Sequence, residues 1–244
     1  MNICKNCNQE ISGNFCANCG QPAEVKRIDA HYVLHEIKHV LHFENGVLYT
    51  IKELMTRPGE NIREFIAENR SRLVKPVIFI IISSLIYSVI NHLFDIEDGY
   101  IGFSEPIGNT AVHKSAVSII FNWIQNHYGY ANIIIGMFIA FWLKFFFKKY
   151  KYNFYELLIL LCFVIGISML ILSVFVILEG LIKVRLMQIS ACIVIAYCSW
   201  AIGQFFDKDK IFNYIKSFAA YILGTLSFAF SVIILGLICD YFNI

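Results

Sequence analysis

Five long apolar runs follow a polar first third of the chain. They cover residues 77–94 (VIFIIISSLIYSVINHLF), 131–147, 157–178, 186–206 and 218–242. A helix needs about 20 apolar residues to cross the hydrocarbon of a bilayer. The runs are rich in Ile, Val and Phe, residues that also suit buried strands. Strands, however, run about 4–8 residues, and an open sheet would leave unpaired backbone groups in lipid. A membrane β-barrel would alternate polarity in segments of about ten residues, and these runs do not alternate. The pattern predicts an all-α integral membrane protein with a five-helix transmembrane bundle spanning residues 77–244. The second run is the shortest and the most aromatic.

Helical periodicity continues ahead of the first run. In residues 29–45, Val33, Ile37, Val40 and Leu41 form an apolar stripe. His31, His35, His39 and His42 form a second stripe at i, i+4, i+8 and i+11. An interfacial helix with histidines at the headgroup border accounts for it; a second metal site or a pH sensor is the sharper alternative. Residues 47–57 predict a second amphipathic helix. Pro58 then suits the first turn of a third helix, with Glu60 favouring its N-terminus, and that helix is expected to run on toward Pro76. Arg63, Arg70, Arg72 and Lys75 would lie near anionic headgroups, each contributing about 1 kcal/mol. Residues 25–76 therefore read as amphipathic juxtamembrane helices.

Composition sharpens this picture. Of 244 residues, 58% are hydrophobic and 16% charged, against about 25% charged in a soluble domain. That excludes most soluble folds and also disorder, which needs low hydrophobicity and high charge. A net charge of +2 is too mild for a nucleic-acid binder. The charge is unevenly placed. Arg57, Arg63, Arg70, Arg72 and Lys75 precede the first run; Lys144, Lys148, Lys149 and Lys151 follow the second; Lys208, Lys210 and Lys216 separate the fourth and fifth. The alternate loops carry only Lys114, Lys183 and Arg185. Basic loops stay cytoplasmic, so the N-terminus is expected in the cytoplasm and the C-terminus outside. The first run would serve as an uncleaved insertion signal, since no basic-then-apolar leader pattern opens the chain.

Cys4, Cys7, Cys16 and Cys19 follow the spacing C-x2-C-x8-C-x2-C, as two near-repeats, CKNC and CANC. Two residues between thiolates let both sulfurs reach one ion, and two such knuckles complete a tetrahedron. Disulfides would conflict with a cytoplasmic location. A redox CxxC is usually single and sits beside a βαβ pattern. Structural zinc in a ribbon over residues 1–24 is the expectation. Four thiolates leave no open coordination position for catalysis, and the metal would supply most of the module's folding free energy. Lys5, Lys26 and Arg27 are offset by Glu10 and Glu24, so the ribbon offers no basic patch for nucleic acid. Cys162, Cys192, Cys198 and Cys239 fall in the apolar runs and read as small packing residues.

The order of features carries a resemblance. Cys19-Gly20-Gln21 ends the ribbon; His42-Phe43-Glu44-Asn45-Gly46, Thr50 to Leu54, Arg57-Pro58-Gly59, Ile62-Arg63-Glu64-Phe65, Asn69-Arg70-Ser71-Arg72 and Pro76 follow. Over residues 4–90 the chain resembles an uncharacterised family of bacterial multi-pass membrane proteins with an N-terminal zinc ribbon. The resemblance implies topology and a bacterial inner-membrane location, and implies no mechanism.

Ser84, Tyr87, Ser88 and Asn91, together with Ser83, place a polar face on the first run, and Tyr197, Ser199 and Gln204 do so on the fourth. These positions serve helix packing or line a hydrophilic cavity. Gly166, Gly224 and Gly236 permit close helix approach. No H-E-x-x-H, G-x-S-x-G or P-loop pattern is present, so an enzyme is not expected. Two functions remain, ahead of a least favoured third, an enzyme acting on lipids at the cytoplasmic interface through the histidine stripe with His35 and His39. One is a membrane-anchored interaction or regulatory protein whose ribbon meets a cytoplasmic protein partner. The other is a small channel or transporter of several copies, including a membrane effector of a bacterial defence system.

Overall fold

The computed structural model describes residues 2–4, 6–11, 13–20, 46–94, 116–126 and 128–242. The chain divides into two units, residues 1–42 and 43–244. In the first unit, strands β1 (Asn2–Ile3) and β2 (Glu10–Ile11) pair antiparallel, with Asn2 opposite Ile11 and Ile3 opposite Glu10. The histidine stripe His31, His35, His39 and His42 lies outside the described residues.

The second unit is helical. Its elements are α1 (Val47–Thr56), α2 (Pro58–Ala67), α3 (Pro76–Phe94), α4 (Ala116–Asn126), α5 (Tyr128–Phe146), α6 (Phe154–Ile182), α7 (Met187–Phe206) and α8 (Ile211–Phe242). A short 3₁₀ turn, Lys148–Tyr150, follows α5. Four helices are long and apolar enough to cross a membrane: α3, α6, α7 and α8. The second expected span coincides with α5, which is 19 residues long and whose stretch Ala131–Phe146 is apolar. Length and composition give four spanning helices among the described residues, against the five expected.

Contacts between helix ends fix the directions of the helices. Phe147, just past α5, stacks on Phe206 at the end of α7, with ring centroids 3.7 Å apart. Tyr152, just before α6, packs on Phe205. Asn213, early in α8, donates to the Tyr150 hydroxyl. The start of α3, the end of α5, the start of α6, the end of α7 and the start of α8 therefore share one end of the bundle. At the other end, Gly180 lies against Phe94, and the Ala116 N–H donates to Asp240 Oδ1 at 2.7 Å. Successive long helices alternate in direction. Lys75, Lys144, Lys148, Lys149, Lys151, Lys208 and Lys210 gather at the first end.

The core centres on α6. Leu157, Leu160, Leu161, Phe163, Val164 and Ile167 are fully or almost fully buried. Phe163 meets the edge of Phe65 at 5.3 Å and the ring of Phe79 at 5.8 Å, so α2 and α3 pack on the same stretch of α6. Gly224 lets α8 approach α5 closely: a Cβ there would stand 2.7 Å from the Ile139 Cα. The start of α6 is set by a capping box, in which Asn153 Oδ1 accepts from the Glu156 N–H and Glu156 accepts from the Asn153 N–H. The outward sides of α3 and α8 carry Ile81, Leu85, Val89, Phe230 and Leu235, all exposed, a surface suited to lipid.

Two elements depart from the sequence expectation. The third amphipathic helix stops at Ala67 instead of continuing toward Lys75, because Asn69 Oδ1 accepts from both the Ser71 N–H and the Ser71 hydroxyl. That local turn competes with the helix ladder. The second is α4, which sequence reasoning missed: eleven residues fall below the length that marks a span.

Candidate functional site

The four cysteines of the N-terminal unit converge. Their Sγ atoms all lie within 4.8 Å of one another. Cys4 to Cys19 and Cys7 to Cys16 are each 3.5 Å, and none of the four forms a disulfide. A tetrahedral ion with metal–sulfur bonds of about 2.3 Å would separate its sulfurs by about 3.8 Å. The sulfurs are thus close to the positions such an ion needs.

The two knuckles have the same backbone. The Asn8 N–H returns to the Cys4 carbonyl at 2.9 Å, and the Gly20 N–H returns to the Cys16 carbonyl at 2.8 Å. Asn8 (φ 56°) and Gly20 (φ 74°) each follow the second cysteine of their pair and are both left-handed. Asn and Gly tolerate that region best, which accounts for these residue types after each CxxC. Backbone N–H groups of Cys19 and then Asn18 hold the Cys16 thiol below its ordinary pKa. Cys7 is different: the Gln9 N–H favours its thiolate, yet the Cys19 thiol and desolvation leave it pushed up to about 11. Four clustered thiols cannot all ionise unaided. A cation held among them would supply the missing charge, and the donor set fits a thiophilic ion with no coordination position left open.

In the helical unit, α1, α2 and the turn before α3 form a platform docked on the end of α7. Val47, Thr50 and Leu54 give α1 its buried stripe. Gly59 meets the α7 backbone, where a Cβ would fall 2.4 Å from the Gln204 carbonyl carbon. Arg63 Nη1 donates to the carbonyls of Gln204 and Phe205, satisfying two of the acceptors a helix end leaves unpaired. Tyr197 of α7 donates to the Leu54 carbonyl at 3.1 Å. Asn61 Nδ2 donates to the Glu53 and Arg57 carbonyls, closing α1. Arg72 binds the Tyr49 hydroxyl at 2.9 Å and pairs with Glu64 and Glu53; Tyr49 first, then Glu64, raise its pKa further. The Val74 N–H donates to the buried Thr50 hydroxyl at 3.1 Å.

The four basic residues assigned to headgroups therefore divide. Arg63 and Arg72 engage protein groups, while Arg70 and Lys75 are exposed. The polar face of α3 divides as well. Tyr87 is buried, Ser84 and Asn91 are half-buried, and Ser88 is exposed. A central cavity of about 360 Å³ is lined mainly by hydrocarbon, and of those four residues only Tyr87 lines it. The Gln204 and Phe205 carbonyls escaped sequence reasoning. No local signal marks them, since their partner Arg63 lies more than 140 residues away.

Four apolar helices of spanning length and a cluster of four thiols define a membrane-embedded helical protein with an N-terminal site able to hold a metal ion. Residues 44–88 match the family model described as "Protein of unknown function (DUF3667)". No curated protein and no solved structure matches the chain. The matched stretch takes in α1, α2, the Arg72 turn and two thirds of α3. Within it, Thr50, Gly59, Arg63 and Arg72 each bind or seat one part of the platform.

Proposed function

We propose that this is a membrane-anchored interaction or regulatory protein, which carries a structural zinc ribbon on the cytoplasmic face of a bacterial inner membrane. The convergence of four thiols into a closed cluster carries the reading. A site with all four positions taken by thiolates is built to hold a fold together, not to activate water, and a ribbon so held presents a surface to a partner protein. The basic residues gathered at one bundle end support placing that end in the cytoplasm. Alternating helix directions support α5 as a fifth crossing, with the C-terminus outside. A channel of several copies draws less support, because Ser83 and Tyr87 are buried and the central cavity is mainly hydrocarbon.

The test is affinity capture from membranes with the full-length protein and with Cys16→Ser, alongside metal analysis. The expected result is one zinc per wild-type chain and a partner set lost in the variant. Identical partner sets with and without the metal would remove the interaction reading. Ion flux from vesicles carrying the protein would favour the channel instead.

A further inference from the structure

The central cavity lies where six helices meet, and its chemistry is uniform. Tyr87 of α3, Phe121 of α4, Asn132 of α5, Ser168 of α6, Val194 of α7 and Thr225 of α8 represent the elements around it. Among the described residues neither an acid nor a base lines it; their polar groups there are hydroxyls and the Asn132 carboxamide. Small side chains stand where larger ones would fill the space, among them Ala191 on α7 and Ala229 on α8. At about 360 Å³ it is over twice the roughly 150 Å³ of an apolar cavity that admits benzene. It falls within the range of about 300–1,000 Å³ typical of small-molecule sites.

Its depth is set by the helices. Tyr87, Ser168 and Thr225 stand 11–14 residues in from the basic ends of α3, α6 and α8, or roughly 16–21 Å at the helical rise. That is near the mid-length of each helix, within a hydrocarbon layer about 30 Å thick. The short helix α4 closes over this region, with Phe121 packed into a cluster with Phe228 and Val232. Asp240 caps its first turn, and Gly236 admits Val117. Ser168 and Thr225 spend their hydroxyl protons within the protein, on the Val164 carbonyl and on the Tyr221 and Ile222 carbonyls. Asn132 remains as a carboxamide able to donate to a ligand oxygen.

We propose that this cavity binds a long hydrocarbon chain bearing an uncharged oxygen, a carbonyl or a hydroxyl, which is held beside Asn132. The described lining offers no partner to a charged headgroup, and an unpaired charge there would be costly. The inference rests on the membrane-embedded bundle and is independent of the ribbon. Full-length protein in phosphatidylcholine–phosphatidylglycerol vesicles would be irradiated with two probes: a phosphatidylcholine with a diazirine midway along one acyl chain, and a long-chain alcohol with a diazirine. Peptide mapping should find adducts on Ile165, Met169 and Phe228 as well as on the outward Ile81 and Leu85. Adducts from the phospholipid identify the occupant as a bulk lipid chain, and adducts from the alcohol alone identify a free neutral lipid; either outcome supports the site. Ala229→Phe and Ala191→Phe fill the cavity from different helices. Each should lose the inner adducts and keep the outer ones, which also report that the variant is folded. Asn132→Leu should reduce inner adducts from the alcohol. Outer adducts alone in the wild type, or inner adducts undiminished in both filled variants, would overturn the proposal, and undiminished alcohol adducts in Asn132→Leu would overturn its polar contact.

Discussion

Arg63 Nη1 donates to the Phe205 carbonyl oxygen at 2.8 Å, so a side chain from the first third of the sequence closes the end of α7. The same nitrogen reaches the Gln204 carbonyl. A helix end leaves its last carbonyls without intrahelical partners, and a cation there also opposes the helix dipole. Arg63 therefore joins the platform to the bundle by charge and by hydrogen bonding together.

Removing that clamp exposes its worth. Hydrogen bonds from a charged group contribute about 1.5–3 kcal/mol. Arg63→Ala should destabilise the protein by an amount of that order, read as a lower thermal midpoint in detergent. Arg63→Lys should recover only part of the loss, since an ammonium lacks the guanidinium's planar fork. Full recovery by lysine would show that charge alone matters at this helix end.

Gly59 tests the same junction sterically. A Cβ at this position would lie 2.4–2.6 Å from backbone atoms of Gln204 and Phe205. Backbone cannot swing aside as a side-chain tip can. Gly59→Ala should therefore cost about 1–3 kcal/mol, the usual penalty of overpacking. Limited proteolysis should then cut within residues 46–75 sooner than in the wild type.

The cysteine cluster predicts one zinc per chain, removable by a strong chelator. Any of Cys4→Ser, Cys7→Ser, Cys16→Ser or Cys19→Ser should lower zinc content, while the thermal midpoint of the helical unit stays unchanged. Because protons compete for the thiolates, zinc retention should fall as the pH falls. Metal analysis across a pH series, with the helical content followed in parallel, checks both statements. Retention that is flat from neutral to acid pH would point away from a thiolate site.

How much of this was written in the sequence depends on the range of the interaction. The long helices are legible because continuous hydrocarbon is a local property, though α8 starts at Ile211 and not near residue 218, since Asn213 and Ser217 are buried polar residues that dilute the apolar signal. The cysteine spacing is legible because each knuckle is a local turn. Arg63 and Arg72 read as headgroup residues because their charge is visible and their partners are not. Gln204 and Phe205 lie far along the chain, and Arg72 reaches back to Glu53 and Glu64 only once the Asn69 turn has ended α2. The cavity was illegible for the same reason, as six helices each contribute one or a few ordinary residues.

Ser83 carries the last prediction. Its hydroxyl is buried at the packing of α3 on α6, near Gly166, and it has no hydrogen-bond partner. Other serines in these helices return their hydroxyls to the carbonyl four residues earlier: Ser168 to Val164, Ser173 to Met169 and Ser217 to Asn213. A buried hydroxyl without such a partner bears a desolvation penalty of about 1–3 kcal/mol. Ser83→Ala removes the polar atom and leaves a space too small to matter, so it should raise the unfolding midpoint. Ser168→Ala makes the same chemical change but breaks two contacts, to the Val164 carbonyl and to Cys198 Sγ. It should lower the midpoint, at a cost in unfolding free energy of about 0.6 kcal/mol, the average for such bonds in a membrane. The two serines differ in whether the hydroxyl is satisfied, so opposite signs in one detergent titration report that difference. Equal losses would mean that the Ser83 hydroxyl is hydrogen-bonded in the membrane, with Gly166 leaving room for its partner.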